Sequence, residues 1–212
     1  MGRLTNGPNG GFSGKAGSVV GFTWKGGSYI RGLPKIKKRR IPTPVQIAAR
    51  AKFAYLNMWL KMMPHIVAIT FRNYSEKMTG LMAAYSCNSG NVVGEYPDFR
   101  IDFPAFMISH GDLSGAADAK VVCEEPGIIS YSWTGQLNEK KASSNDTCLL
   151  LAIIPETESI YTNLDYNRHL GTATLKIAKE ESGRVAEVYL AFLSFDRLKV
   201  SKSQYLGQVT MM

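Results

Sequence analysis

The sequence predicts a mainly β protein with one long helix: an immunoglobulin/fibronectin-like β-sandwich preceded by a Gly-rich arm, a β-hairpin and that α-helix. Three observations carry this. From residue 65 onward, apolar residues fall in period two or in short runs, separated by turn-rich connections such as Asn88-Ser89-Gly90 and Glu181-Ser182-Gly183, the pattern of many short strands. Between residues 44 and 63 they recur at three- and four-residue spacing, the pattern of a helix face. The first 17 residues contain Gly2, Gly7, Gly10, Gly11, Gly14 and Gly17 with Pro8, a density that favours a flexible arm over a packed element. The expected division is 1–64 for arm, hairpin and helix and 65–212 for the sandwich.

After the arm, SVVGFTWKGGSYIRGLP sets Val19 to Trp24 and Ser28 to Arg31 on either side of Lys25-Gly26-Gly27, a hairpin signal. An isolated hairpin is marginal in water, so this one needs a neighbour. Residues 35–40, KIKKRR, form a basic cluster in a linker ending at Pro42. Thr43 then reads as an N-cap, with Pro44 at the first helical position and Gln46 completing a capping box. Pro64 supplies the stop. Along the helix Gln46, Arg50, Asn57 and Lys61 share one narrow stripe, while Ala49, Phe53, Leu56, Leu60 and Met63 lie beside it and Ile47, Met58, Met62 and Trp59 carry the apolar surface round the other side. Arg50, Lys52, Asn57 and Lys61 oppose a membrane span, because charge at mid-bilayer is costly.

Strands are expected at His65 to Phe71, Gly80 to Tyr85, Arg100 to Ser109, Gly127 to Thr134, Thr147 to Ile154, Gly171 to Ala178 and Val185 to Phe195, with a closing strand near Gln204 to Thr210. Trp133 lies where such sandwiches keep a core Trp, and Tyr189 reads as a corner tyrosine. Without a cysteine pair at the usual spacing, a fibronectin-type variety is favoured over an antibody domain.

Charge is distributed unevenly. Residues 1–75 hold 13 of the 25 Lys and Arg and no Asp or Glu, whereas residues 76–212 carry 12 basic and 17 acidic residues. A basic front half implies either a polyanionic partner such as nucleic acid or the acidic part of a neighbouring copy. The three cysteines, Cys87, Cys123 and Cys148, have no CxxC spacing and no nearby His pair, so neither a disulfide framework nor a zinc knuckle is indicated. The first residues lack the apolar core of a signal peptide, which points to cytoplasmic synthesis, with a virion or extracellular assembly as a compatible destination.

The runs GKAGSVVGFTWKGGSYIRGLP and TPVQIAARAKFAYLNMWL resemble an uncharacterised family of Bacteroidota proteins, and VYLAFLSFDRLKVSKSQYLG resembles that family's ending. A looser version of the N-terminal motif is similar to small proteins of tailed-phage and prophage gene sets. The resemblance implies a virion-like or self-assembling structural protein; it supplies no catalytic residues.

No enzymatic signature emerges. Gly14-Lys15 lacks the earlier glycine and the following Ser or Thr of a P-loop, and no G-x-G-x-x-G occurs. His65, His110 and His169 form no ligand pair, and there is no GxSxG elbow. Glu124-Glu125 and Glu156 with Glu158 read as solvated loop charges beside prolines. No metal or cofactor is expected, and the chain is expected not to be an enzyme. The first expectation is a non-enzymatic subunit of a virion-like particle, tube or filament that assembles with itself through its arm, using Val19, Val20, Phe22, Trp24, Tyr29, Ile30 and Leu33. The alternative is a nucleic-acid-binding protein in which Lys35, Lys37, Lys38, Arg39 and Arg40 hold phosphates. A small-molecule or glycan binder using the sandwich loops would leave no sequence signature.

Overall fold

The computed structural model describes residues 3–4, 7, 10–33, 41–134 and 142–212. The chain forms two compact units, Met1–Thr43 and Pro44–Met212. The division therefore precedes the long helix, where the sequence had suggested a boundary after it. The helix belongs with the sandwich because Leu56, Trp59, Leu60 and Met63 join one core with sandwich residues such as Leu149, Leu151 and Tyr189.

The first unit is an antiparallel sheet of β1 (Arg3–Leu4), β2 (Phe12–Ala16), β3 (Val19–Trp24) and β4 (Gly27–Gly32), in that spatial order. The expected hairpin is β3–β4. Its two-residue turn puts Lys25 at φ 45° and Gly26 at φ 79° between the paired Trp24 and Gly27, which suits the twist of a type I′ connection. The arm is more ordered than its glycines suggest, since Phe12–Ala16 is a strand paired to β3. Glycine serves close approach here: a Cβ on Gly21 would lie 2.8 Å from ring carbons of Phe12, so the ring covers the bare backbone.

The second unit opens with three helices, α1 (Pro44–Met62), α2 (Pro64–Thr70) and α3 (Gly80–Asn88). Two of them replace expected strands. The β-branched run after Pro64 reads as a strand by composition, yet Pro64 sits in the first turn of α2 and Ile66, Val67 and Thr70 are its buried positions, a helical spacing. Thr70 Oγ1 donates to the Ile66 carbonyl at 2.9 Å or the Ile108 carbonyl at 2.8 Å. In α3, the Thr79 hydroxyl accepts from Met82 N–H at 3.3 Å as an N-cap. Gly80 lets α3 press on α2, because a Cβ there would lie 2.6 Å from the Val67 carbonyl oxygen. The expected strand at 100–109 shrinks to β6 (Arg100–Ile101), paired with β5 (Val92–Val93), before turns take over.

The rest is two β-sheets packed face to face around a shared core. One sheet runs β10 (Ser159–Asn163), β9 (Thr147–Ile154), β12 (Val185–Leu193), β13 (Gln204–Thr210); the other runs β11 (Thr172–Lys176), β8 (Ile128–Thr134), β7 (Ala117–Glu125). The sequence missed β7 and β10. Strand β7 is a charged edge, ADAKVVCEE, with two register irregularities against β8, the devices that blunt an edge and also erase alternation.

Every residue from Cys148 to Ile154 in β9 is buried, as is every residue after Val185 in β12. Cys148, Leu150, Ala152 and Ile154 face the other sheet with Val188, Leu190 and Phe192. Leu149, Leu151 and Ile153 face the helices with Tyr189, Ala191 and Leu193. The four-stranded sheet is thus the middle of three layers.

Trp133 takes its expected core place: it is 6% exposed, lies edge-on to Phe192 at 5.7 Å and donates from Nε1 to the Arg168 carbonyl at 2.9 Å. Tyr189 is not a corner tyrosine. It points to the helical side, where its hydroxyl donates to the Phe103 carbonyl at 2.7 Å. On β13, Gly207 at φ 102° opens a bulge opposite Val188, which brings Tyr205 against Tyr189 and lets the Tyr205 hydroxyl donate to buried Glu187 at 2.6 Å.

A buried ion pair closes one end of the sandwich. Arg168 Nε donates to Asp146 Oδ2 at 3.1 Å, with the side chains 5% and 2% exposed. Its other nitrogens donate to the Gly115 carbonyl at 2.8 Å and the Ser114 carbonyl at 2.5 Å, and its guanidinium lies 3.7 Å over the Phe192 ring. Asp146→Ala strands a buried guanidinium, so urea denaturation should show a loss of about 3–5 kcal/mol. Burial also pushes the Cys148 thiol up to about 12. At pH 8 Cys148 should resist iodoacetamide in the folded protein and react only after unfolding, as read by peptide mass spectrometry.

Candidate functional site

The register of the first unit sorts its side chains by face. Pairing of Val20 with Arg31, Phe22 with Tyr29 and Lys15 with Val20, with alternation along each strand, puts Lys15, Val20, Phe22, Trp24, Tyr29 and Arg31 on one face. Phe12, Ala16, Val19 and Ile30 lie on the other. The residues expected to mediate assembly are therefore divided: Val20, Phe22, Trp24 and Tyr29 share the cationic face, Val19 and Ile30 take the opposite one, and Leu33 follows the end of β4.

On the cationic face the rings of Phe22 and Tyr29 stack at 5.5 Å with planes 20° apart, and the Arg31 guanidinium lies 5.8 Å from the Phe22 centroid. Such contacts preorganise the rings without hiding them. Trp24 is 48% exposed and Tyr29 50%, while Ile30 on the other face is 66% exposed. None of the apolar side chains described in this unit is buried. Residues 1–43 carry nine Lys and Arg and no carboxylate. The chemistry available is ring stacking, apolar contact and attraction for negative charge. The basic cluster Lys35, Lys37, Lys38, Arg39 and Arg40 lies outside the described residues.

In the second unit the candidate acids take structural places. Glu124 and Glu125 end edge strand β7 instead of standing in a loop. Glu156 lies 3.7 Å from Arg184, whose Nη1 donates to the Glu181 carboxylate at 2.6 Å. That partner, with the Thr157 hydroxyl, holds the Glu181 carboxyl below the usual range against the opposing effect of burial. His65, His110 and His169 are all exposed, and no group of three or more metal-ligating side chains comes together among the described residues. No helix among them is long and apolar enough to cross a membrane. What sequence reasoning missed is the face separation in the first unit; strict alternation of Val20, Phe22 and Trp24 was the signal for it.

Among solved structures, the chain is similar to the fn3 domain of human collagen alpha-1(XX), at 13% identity and a TM-score of 0.34, over 49% of this chain and 90% of that one. No curated protein gives a significant match. A family of unknown function, DUF6266, matches residues 11–207, which takes in β2 to β4, the helices and the sandwich as far as the middle of β13. The chain belongs to that family.

Proposed function

We propose that the protein is a non-enzymatic structural subunit that associates with further copies of itself through its N-terminal sheet. The observation that carries this is a single-layered, four-stranded sheet that leaves Phe22, Trp24, Tyr29 and Ile30 exposed and buries none of its described apolar side chains. A single sheet gains stability by covering a face against another layer, and contiguous exposed aromatics mark interaction surfaces. The partner is a neighbouring copy, whose residues 44–212 hold all 17 Asp and Glu of the chain while the first unit holds nine Lys and Arg and none. A virion-like particle, a tube or a filament would each suit a subunit that offers one surface and accepts it with another, in keeping with the resemblance to phage-associated proteins.

A second reading follows from the cationic face. Lys15 and Arg31 flank Phe22, Trp24 and Tyr29, an arrangement that tracks phosphates while bases stack on rings. The residues 35–40 would extend that contact.

One experiment separates the two. The full chain, sized by light scattering with absorbance read at the nucleic-acid and protein maxima, should give a protein-only oligomer that persists in about 1 M salt, where the Debye length is ~3 Å. Replacing Trp24, Tyr29 and Ile30 together by Ser should convert it to a folded monomer. Persistence of the oligomer in that variant defeats the assembly reading. A nucleic-acid-rich species that dissolves in high salt supports the second.

A further inference from the structure

A cleft of about 850 Å³ lies within the second unit, where the turn after α2, the segment leading into β7 and the β12–β13 loop converge. Its lining includes Tyr74, His110 and Asp112, Ser143 and Asp146 from the loop entering β9, and Phe195, Asp196 and Lys199. The size suits a ligand of a few linked rings.

The β12–β13 loop is rigid for its length. Ser194 N–H donates to the Lys199 carbonyl at 2.9 Å, and Lys199 N–H donates to Ser194 Oγ at 2.8 Å. The Ser194 hydroxyl donates to Asp196 Oδ1 at 2.5 Å, and the same carboxylate oxygen accepts from Leu198 N–H at 2.9 Å. These two donors hold the Asp196 carboxyl below its usual range. Asn73 Nδ2 donates to the Leu198 carbonyl, tying the loop to the helical side. Arg197 turns the chain at φ 55°. All this bracing presents one phenyl ring, Phe195, at 83% exposure. An apolar ring held out in water contributes little to folding, and the braced loop that carries it lowers the ordering cost of binding. Tyr74 and His110, also in the lining, meet edge-on at 5.1 Å and present a second aromatic surface.

The lining also holds groups that accept and donate hydrogen bonds: the carboxylates of Asp112 and Asp196, the imidazole of His110 and the ammonium of Lys199. Both signs of charge are present, and the nearby Asp146 is committed to Arg168. We propose that this cleft binds a neutral oligosaccharide. The C–H faces of a pyranose stack on Phe195 and on the Tyr74–His110 surface. Its hydroxyls, which both donate and accept, are met by Asp112, His110 and Lys199. Leu113, Leu198 and Val200 also line the cleft, so an apolar peptide is the competing occupant that the test must separate from a sugar.

The test uses the full chain and three neutral probes, maltotetraose, cellotetraose and chitotetraose, with binding read by saturation-transfer NMR and titration calorimetry. At least one should bind saturably, and Phe195→Ala and Asp112→Ala, both at exposed positions, should each weaken it about tenfold. The Trp24, Tyr29 and Ile30 serine variant should bind it unchanged, so that failure of assembly and failure of this site are distinguishable. Absence of saturable binding to all three, binding indifferent to both alanine substitutions, or saturable binding of a polyproline peptide in their place overturns the proposal.

Discussion

Strands β9 and β12 are buried on both faces, and that double burial dictates the order of everything around them. A strand apolar on alternate positions needs one covering layer; a strand apolar on every position needs two. One face of this pair is covered by the β7–β8–β11 sheet and the other by α1, α2 and α3 with the turns near Phe103 and Phe106. Without the helices, Leu149, Leu151, Ile153, Ala191 and Leu193 would form an exposed apolar field. The helices are therefore a layer of the sandwich domain, which is why the chain divides before Pro44.

Most polar groups inside these layers find partners among the described residues, the indole N–H of buried Trp59 being an exception. The Tyr189 hydroxyl finds the Phe103 carbonyl, Glu187 finds Tyr205 and Gln208, and Arg168 finds Asp146 and two backbone carbonyls. Each partner comes from a different element, so the bonds fix how layers and loops register in a way that apolar contact alone would not. Arg168 also ties the segment entering β7 to the loop entering β9, which holds one wall of the cleft beside the β12–β13 loop.

The first unit follows a different logic. Its hairpin turn, its glycines and its cross-strand rings specify a sheet well, but the sheet has no second layer of its own. It is locally well specified, yet none of its described apolar side chains is buried, and its charge and rings set the chemistry that surface offers.

The β9 and β13 limits, the Lys25-Gly26 turn and the extent of α1 were legible in the sequence because they depend on local rules: apolar runs closed by Pro155, positive φ at a turn, spacing along one helix. The strands predicted at 65–71 and 80–85 failed because β-branched composition is a weak preference that tertiary packing overrides, here through Pro64, the Thr79 cap and the close approach at Gly80. Of the candidate assembly residues, sequence identified the exposed rings, and pairing register then set Val20, Phe22, Trp24 and Tyr29 on one face and Val19 and Ile30 on the other. The cleft was invisible beforehand. Tyr74, Asp112 and Phe195 lie far apart along the chain, none is distinctive alone, and only the folding of the β12–β13 loop against the turn after α2 brings them to one site.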